Sequence, residues 1–322
     1  MPVFSFLNNS VWHHYPMQTN YQFSIVGTGA VGGYYGALLQ QAKFDVHFLL
    51  NSDYTHVRKN GLVIESPNGN FKLPDVNAYS APQEMPRCDV VIVALKTTAN
   101  AVLKNILPHL VKEDSMVLTL QNGLGSEEQV AKIVKPEQIL GGLCFLCSNK
   151  VAPGHIRHLD YGLITLGEFS QRGLTPRLKN LGQQMELAGI PIRLINDLPL
   201  ARWKKLVWNI PFNGLSVVRN QLTDQLIRQP ETRKLCIAMM REVAEASKAC
   251  ARPINKTFIE KMINDTEKME PYAPSMKLDF DRGNALEIEA IYGEPIRRAK
   301  AAGVAMPETE NLYMQLKDIN PV

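Results

Sequence analysis

Cysteine is scarce and odd in number: five in 322 residues, which argues against a disulfide framework and for a reducing compartment. Long apolar runs are missing too. The purest, residues 90–95, has the length of a strand, far short of the roughly 18 residues that a membrane span needs. No basic block stands out, because 35 Lys+Arg against 31 Asp+Glu leave a charge of +4 spread along the chain. Nucleic acid is therefore not expected as a partner, since phosphate binding wants clustered positive charge. Residues 1–20 hold no Lys or Arg and no apolar core, so they do not read as a secretory signal. They are expected to form a loosely docked N-terminal extension. His13 and His14 within it are adjacent, share no helix face and have no third metal ligand nearby. What is present is an ordinary globular composition, 45% apolar and 20% charged, which sets disorder aside. A cytosolic chain of two domains, with no membrane contact, is the expectation.

From Tyr21 the pattern runs strand, glycine turn, helix. Phe23, Ile25 and Val26 form a short apolar run, and a helical stretch covers residues 34–41. Further strands are expected at residues 45–50, 90–95, 115–120, 139–148 and 162–169, with Pro153 and Gly154 marking a turn between the last two. Strands alternating with helical stretches predict an α/β domain built on a doubly wound parallel sheet over residues 21–197. After Asp197 helical periodicity takes over. Residues 222–227, 231–251, 256–268 and 284–302 each read as amphipathic helices, with prolines and Gly303 as stops. Residues 198–322 are thus expected to form an all-helical domain, with a cleft between the two.

Gly27-Thr28-Gly29-Ala30-Val31-Gly32 stands after the first strand and before the first helix, the setting that a dinucleotide fingerprint of the Rossmann type requires. The first glycine permits the tight turn, the second lets the pyrophosphate approach, and the third lets helix pack on strand. The helix N-terminus offers free N–H groups to the phosphates. A carboxylate at the end of the second strand would favour NAD; residues 50–52 are Leu-Asn-Ser, with no acid before Asp53, while Arg58 and Lys59 follow. That absence favours NADP(H), with Arg58 as a candidate contact to the 2′-phosphate.

The other informative stretch is Trp203-Lys204-Lys205-Leu206-Val207-Trp208-Asn209-Ile210-Pro211-Phe212-Asn213. Lys205, Asn209 and Asn213 recur every fourth residue and so line one helix face. Burying an ammonium and two amides without partners is costly, which points to a polar ligand cleft. Pro211 is expected to bend the helix. Cys144 and Cys147 fall in a strand, where residues three apart point to opposite faces, so a metal or redox pair is not expected and the site needs no metal.

Several separated motifs in this order resemble ketopantoate reductases, within the 6-phosphogluconate-dehydrogenase-like superfamily, from about Phe23 to Leu316. Residues 27–36 are similar to that family's phosphate loop. Leu95-Lys96-Thr97 is similar to the segment whose lysine lies beside the cofactor, and the loop from Gln121 to Gly125 to the one whose asparagine, here Asn122, sits between cofactor and substrate. Lys205 matches the catalytic lysine, Asn209 and Asn213 the substrate-binding asparagines, and Ser275 and Glu287 the substrate-contacting serine and the active-site glutamate. The resemblance implies a Rossmann domain followed by a helical one, and NADPH-dependent reduction of 2-dehydropantoate on the path to pantothenate and coenzyme A. It also implies cofactor contacts from Lys96, Asn122 and Glu287, and assembly as a homodimer. One departure concerns the cofactor: Asn51 stands where the family commonly has an arginine on the 2′-phosphate.

Hydride delivery to a ketone leaves negative charge on oxygen, and Lys205 is suited to stabilise it and supply the proton. Glu287 is expected to hold Lys205 in place, and Asp279 to cap or orient a helix. Two other readings remain open from the residues: a related dehydrogenase of another 2-oxo or hydroxy acid, and a non-catalytic NAD(P)-binding sensor. A sensor would have no use for the proton donor.

Overall fold

The computed structural model describes residues 21–171 and 173–320, so the expectation for residues 1–20 lies outside the described residues. The first apolar run is β1 (Gln22–Val26), and the glycine turn leads directly into α1 (Ala30–Gln41) and on to β2 (Asp45–Leu49). After α2 (Tyr54–Asn60) come three short strands that the sequence did not suggest, β3 (Leu62–Glu65), β4 (Phe71–Leu73) and β5 (Asn77–Tyr79). The apolar run near residue 90 is β6 (Cys88–Val93), followed by α3 (Leu103–Leu110), β7 (Val111–Thr119) and the short α4 (Ser126–Val130). Two long strands, β8 (Ile139–Ala152) and β9 (His155–Glu168), precede α5 (Pro176–Leu187) and β10 (Ile192–Leu194).

Among the described residues these strands form one sheet in the order β4-β3-β9-β8-β7-β6-β1-β2-β5, with β10 on β9. Its centre is parallel, as expected, but the sheet as a whole is mixed: β9 runs antiparallel to β8, and β4 to β3. The Pro153-Gly154 turn is the cause. Gly154 takes a φ of 64°, tight enough to fold the chain straight back as a hairpin, whereas a parallel return needs a long crossover. Alternate residues supply the two faces. Phe23, Ile25, Val90 and Ile92 enter one core, and Val26, Val91 and Val93 the other, which is why these strands read as apolar throughout.

The remainder is helical: α6 (Leu198–Val218), α7 (Thr223–Arg228), α8 (Pro230–Ala249), α9 (Lys256–Glu267), α10 (Ser275–Asp281), α11 (Glu294–Ala301) and α12 (Pro307–Ile319). These helices enclose a core of their own around Leu206, Ile210, Met239, Met240 and Tyr292. Asp197 starts α6 by accepting the Leu200 N–H at 3.0 Å, and the helix runs on through Pro211. The single helix expected over residues 284–302 is not what forms. A π-helical turn at Glu289–Gly293 passes into α11, and the preceding loop carries Glu287. No helix among the described residues is long and apolar enough to cross a membrane.

Candidate active site

The glycine loop is shaped by what lies behind it. Gly27 adopts a φ of 98°, and a Cβ there would meet the Leu95 nitrogen at 2.6 Å, so the turn requires glycine. A Cβ on Gly32 would meet the Gly27 carbonyl at 2.3 Å, which is how α1 packs tightly against the turn. Gly29 differs: nothing lies within 4 Å of its Cβ direction, so the loop opens onto free space at the N-terminus of α1. No side chain caps that helix and its first turn, with Ala30 and Val31, holds no acid. Free N–H groups and the positive end of the helix dipole are left for an anion, which fits a dinucleotide pyrophosphate. Thr28 Oγ1 donates to the Leu49 carbonyl at 3.2 Å, tying the loop to the end of β2.

Past that strand end, Asn51 and Ser52 are exposed. Asp53 is turned inward: both carboxylate oxygens accept from Lys150 Nζ at 2.9 Å, and one accepts the Gly154 N–H at 3.1 Å. Burial acts to raise the Asp53 carboxyl, but Lys150 and the Gly154 N–H outweigh it and hold it below the usual range. The first carboxylate after β2 is thus already paired. Arg58 lies exposed on α2, where it donates to the Tyr54 hydroxyl at 2.6 Å.

Segments distant in sequence converge around Lys96 and Lys205. Lys96, just after β6, reaches Asp279 Oδ2 of α10 at 2.5 Å and Glu287 Oε2 at 3.7 Å. Glu287 also accepts the Thr97 N–H at 2.8 Å. Burial acts to lower the Lys96 pKa, but Glu287 and Asp279 outweigh it and leave it raised. Asp279, expected to cap or orient a helix, instead pairs with Lys96, which stands just past the end of β6.

Lys205 Nζ, on the half-buried lysine of α6, donates to Asn122 Oδ1 at 2.8 Å and to the Cys144 carbonyl at 2.8 Å. Burial pulls its pKa down from 10.5 to about 8; Arg202 adds to the fall, while Cys144 and Glu287 oppose it. The expected hold of Glu287 on Lys205 is not made: the glutamate is engaged by Lys96 and Thr97, and it reaches Lys205 through its field alone. The reason lies in the π-turn. Its Ala290 carbonyl accepts the Leu124 N–H at 2.9 Å, which docks this part of the chain on the loop carrying Asn122.

Asn209 and Asn213 follow Lys205 one and two turns on, both buried. Neither amide has a side-chain hydrogen-bond partner among the described residues. Ser275 stands exposed in the first turn of α10. Direct contacts thus pair Lys96 with Glu287 and Lys205 with Asn122, and Asn209 and Asn213 lie on the same helix as Lys205. Neither Arg58 nor Ser275 makes a side-chain contact with these residues. Sequence reasoning missed Asp279 as the partner of Lys96 and missed the buried Arg202, though an arginine one turn before Lys205 in an apolar helix was a visible signal. Cys144 and Cys147 are free thiols, and no three His, Cys, Asp or Glu among the described residues are grouped to hold a metal.

Two family models match this chain: "Ketopantoate reductase PanE/ApbA" over residues 23–171 and "Ketopantoate reductase PanE/ApbA C terminal" over residues 197–320. The chain is 54% identical to a 2-dehydropantoate 2-reductase of Nostoc sp. over 92% of its length and 94% of that protein's. Among solved structures, a 2-dehydropantoate 2-reductase from Geobacter metallireducens superposes with a TM-score of 0.89 at 44% identity, covering 92% of this chain and 99% of that one. The enzyme of the same description from Methylococcus capsulatus gives a TM-score of 0.85 at 30% identity, covering 92% and 96%.

Proposed function

The chain belongs to the ketopantoate reductase family and reduces 2-dehydropantoate to pantoate in pantothenate synthesis; from that premise we propose that NADPH is its cofactor and Lys205 its proton donor. In this reading residues 21–197 bind the dinucleotide and residues 198–322 carry the substrate contacts. The observation that carries it is the Lys205 ammonium, held at 2.8 Å by Asn122 and shifted to about 8.

Bound NADPH supplies a hydride to the ketone carbon. As charge grows on the carbonyl oxygen, Lys205 stabilises it more than it stabilises the ketone, and passes it a proton. Asn122 keeps Nζ at the cofactor side of the cleft. Glu287 ties Lys96 and Thr97 to the helical half, and the amides of Asn209 and Asn213 with the Ser275 hydroxyl bind the carboxylate and hydroxyl of the acid. Gly27, Gly29 and Gly32, with Thr28, Ala30 and Val31, cradle the pyrophosphate, and Asn51 and Arg58 serve the adenosine end. The homodimer implied by the family resemblance completes the reading.

The proton must be on Lys205 for the reduction. Its pKa is about 8, so kcat/KM for reduction holds below that pH and falls as pH rises through it. A profile flat to the ordinary lysine range would remove Lys205 from the donor's role.

Cofactor choice has its own test. NADPH is expected to turn over faster than NADH, because Asp53 is neutralised by Lys150. Lys150→Met strands that carboxylate near the adenosine end and should erode the NADPH preference by roughly tenfold, through like-charge repulsion of the 2′-phosphate. Equal turnover of wild type with both cofactors overturns the NADPH assignment.

A further inference from the structure

Arg202 lies one helical turn before Lys205, buried in α6, and has no part in the chemistry above. Its guanidinium spans the junction between the sheet and the helices. Nη1 donates to the Gln121 carbonyl at 2.6 Å, and Nη2 donates to Thr119 Oγ1 at 3.3 Å and to Glu127 Oε1. Thr119 Oγ1 in turn donates to that glutamate oxygen at 2.8 Å. Glu127 is also buried, and a Cβ on Gly141 would come within 2.6 Å of its Oε1, so β8 carries glycine where the carboxylate sits.

A buried ion pair of this kind is weak evidence for stability, since an apolar pair of the same shape often does as well. What arginine adds is a planar fork with fixed donor directions. Here those directions count, because Gln121 is the neighbour of Asn122, and Asn122 is the side chain that Lys205 binds. Arg202 and Lys205 grip the same loop from successive turns of one helix.

We propose that Arg202, held by Glu127, is a positioning residue: it locks α6 to the end of β7 so that Lys205 Nζ and Asn122 Oδ1 stay in register at the reacting carbonyl, a role that rests on the reading of Lys205 as the proton donor. The charge of Arg202 acts in the same place. Lys205 is faced by Cys144 from β8, whose thiol burial pushes up to about 11, and by Glu287 from the loop before the π-turn, with Lys96 paired to it. On its own helix it has Arg202, which lowers its pKa, and Glu127 lies beyond Arg202. Removing Arg202 therefore raises the proton affinity of Lys205.

The test uses the full-length enzyme with Arg202→Met/Glu127→Gln, which removes both charges and strands neither, beside Arg202→Lys and Lys205→Ala. Thermal melts, NADPH titration, kcat, KM and the pH profile of kcat/KM are measured on each. The double variant is expected to bind NADPH as wild type does, to lose about 10- to 100-fold in kcat with a smaller change in KM, and to move the alkaline limb of its profile to higher pH. Arg202→Lys keeps the charge without the fork, so its kcat falls while its limb stays in place. A folded double variant with wild-type kcat and an unmoved limb, where Lys205→Ala has lost turnover, overturns the role of Arg202 alone. If the double variant does not fold, wild-type kcat in Arg202→Lys overturns it. Retained turnover in Lys205→Ala brings down the donor assignment, and this inference with it.

Discussion

Lys205→Ala is expected to cut turnover by at least about 100-fold, the usual scale for loss of a general acid, with NADPH binding nearly unchanged. The glycine loop belongs to α1 and its flanking strand, and the lysine to α6, so cofactor titration should barely register the change. Lys204 is the internal control. One residue on a helix is a rotation of about 100°, and its ammonium sits over the Phe258 ring of α9 at 5.4 Å, outside the contacts that Lys205 makes. Lys204→Ala should be nearly silent. Glu287→Gln should cost less than loss of the lysine, because the amide oxygen can still accept the Thr97 N–H while the pairing with Lys96 is lost. Steady-state kinetics on the three variants decide it. Damage from Lys204→Ala with an active Lys205→Ala would reverse the helix register and the donor together.

Gly123→Ala is the second large loss, expected at about 100-fold in kcat, the scale on which a misplacement of around 1 Å acts. Gly123 sits at a φ of 82°, where a side chain is strained. A Cβ there would also lie 2.3 Å from the Ala290 carbonyl oxygen of the π-turn. Backbone cannot step aside as a flexible side chain does, so the Leu124–Ala290 hydrogen bond breaks and Asn122 moves off Lys205. Gly125→Ala is the comparison: its φ is 92°, but its nearest neighbour is the Glu294 side chain at 3.4 Å. Both variants should lose some thermal stability from the strained backbone; only Gly123→Ala should lose most of its turnover. Wild-type kcat in a folded Gly123→Ala enzyme would show that the docked π-turn does not place Asn122.

Local pattern carried much of the fold around the candidate site. The glycine loop, the apolar central strands and the stripe from Lys205 to Asn213 were legible because their logic lies within a few consecutive residues. The hairpin of β8 and β9 was half legible: its turn was marked by Pro153 and Gly154, but nothing local says that the returning strand pairs with its predecessor rather than crossing over. β3, β4 and β5 are three or four residues long, too short for a period to show. Least legible were contacts between distant residues. Lys96 and Asp279 are 183 positions apart, and Arg202 meets Glu127 across 75, so no spacing rule can propose either pair. Glu287 shows the same limit: the resemblance marked it as an active-site residue, and only the fold shows that its hydrogen bond goes to Thr97.

The stripe on α6 is finally a matter of phase. Arg202, Lys205, Asn209 and Asn213 share one side of α6 because successive spacings of three or four residues bring each back to it along a continuous helix. Inserting one alanine between Lys205 and Asn209 would keep every functional group and turn both asparagines about 100° away from the lysine. Elsewhere the chain carries such an irregularity of its own: the wider winding at Glu289–Gly293 aims the Ala290 carbonyl at Leu124. One helix of this protein thus lines up its polar side chains by keeping count, while the other makes its contact by losing it.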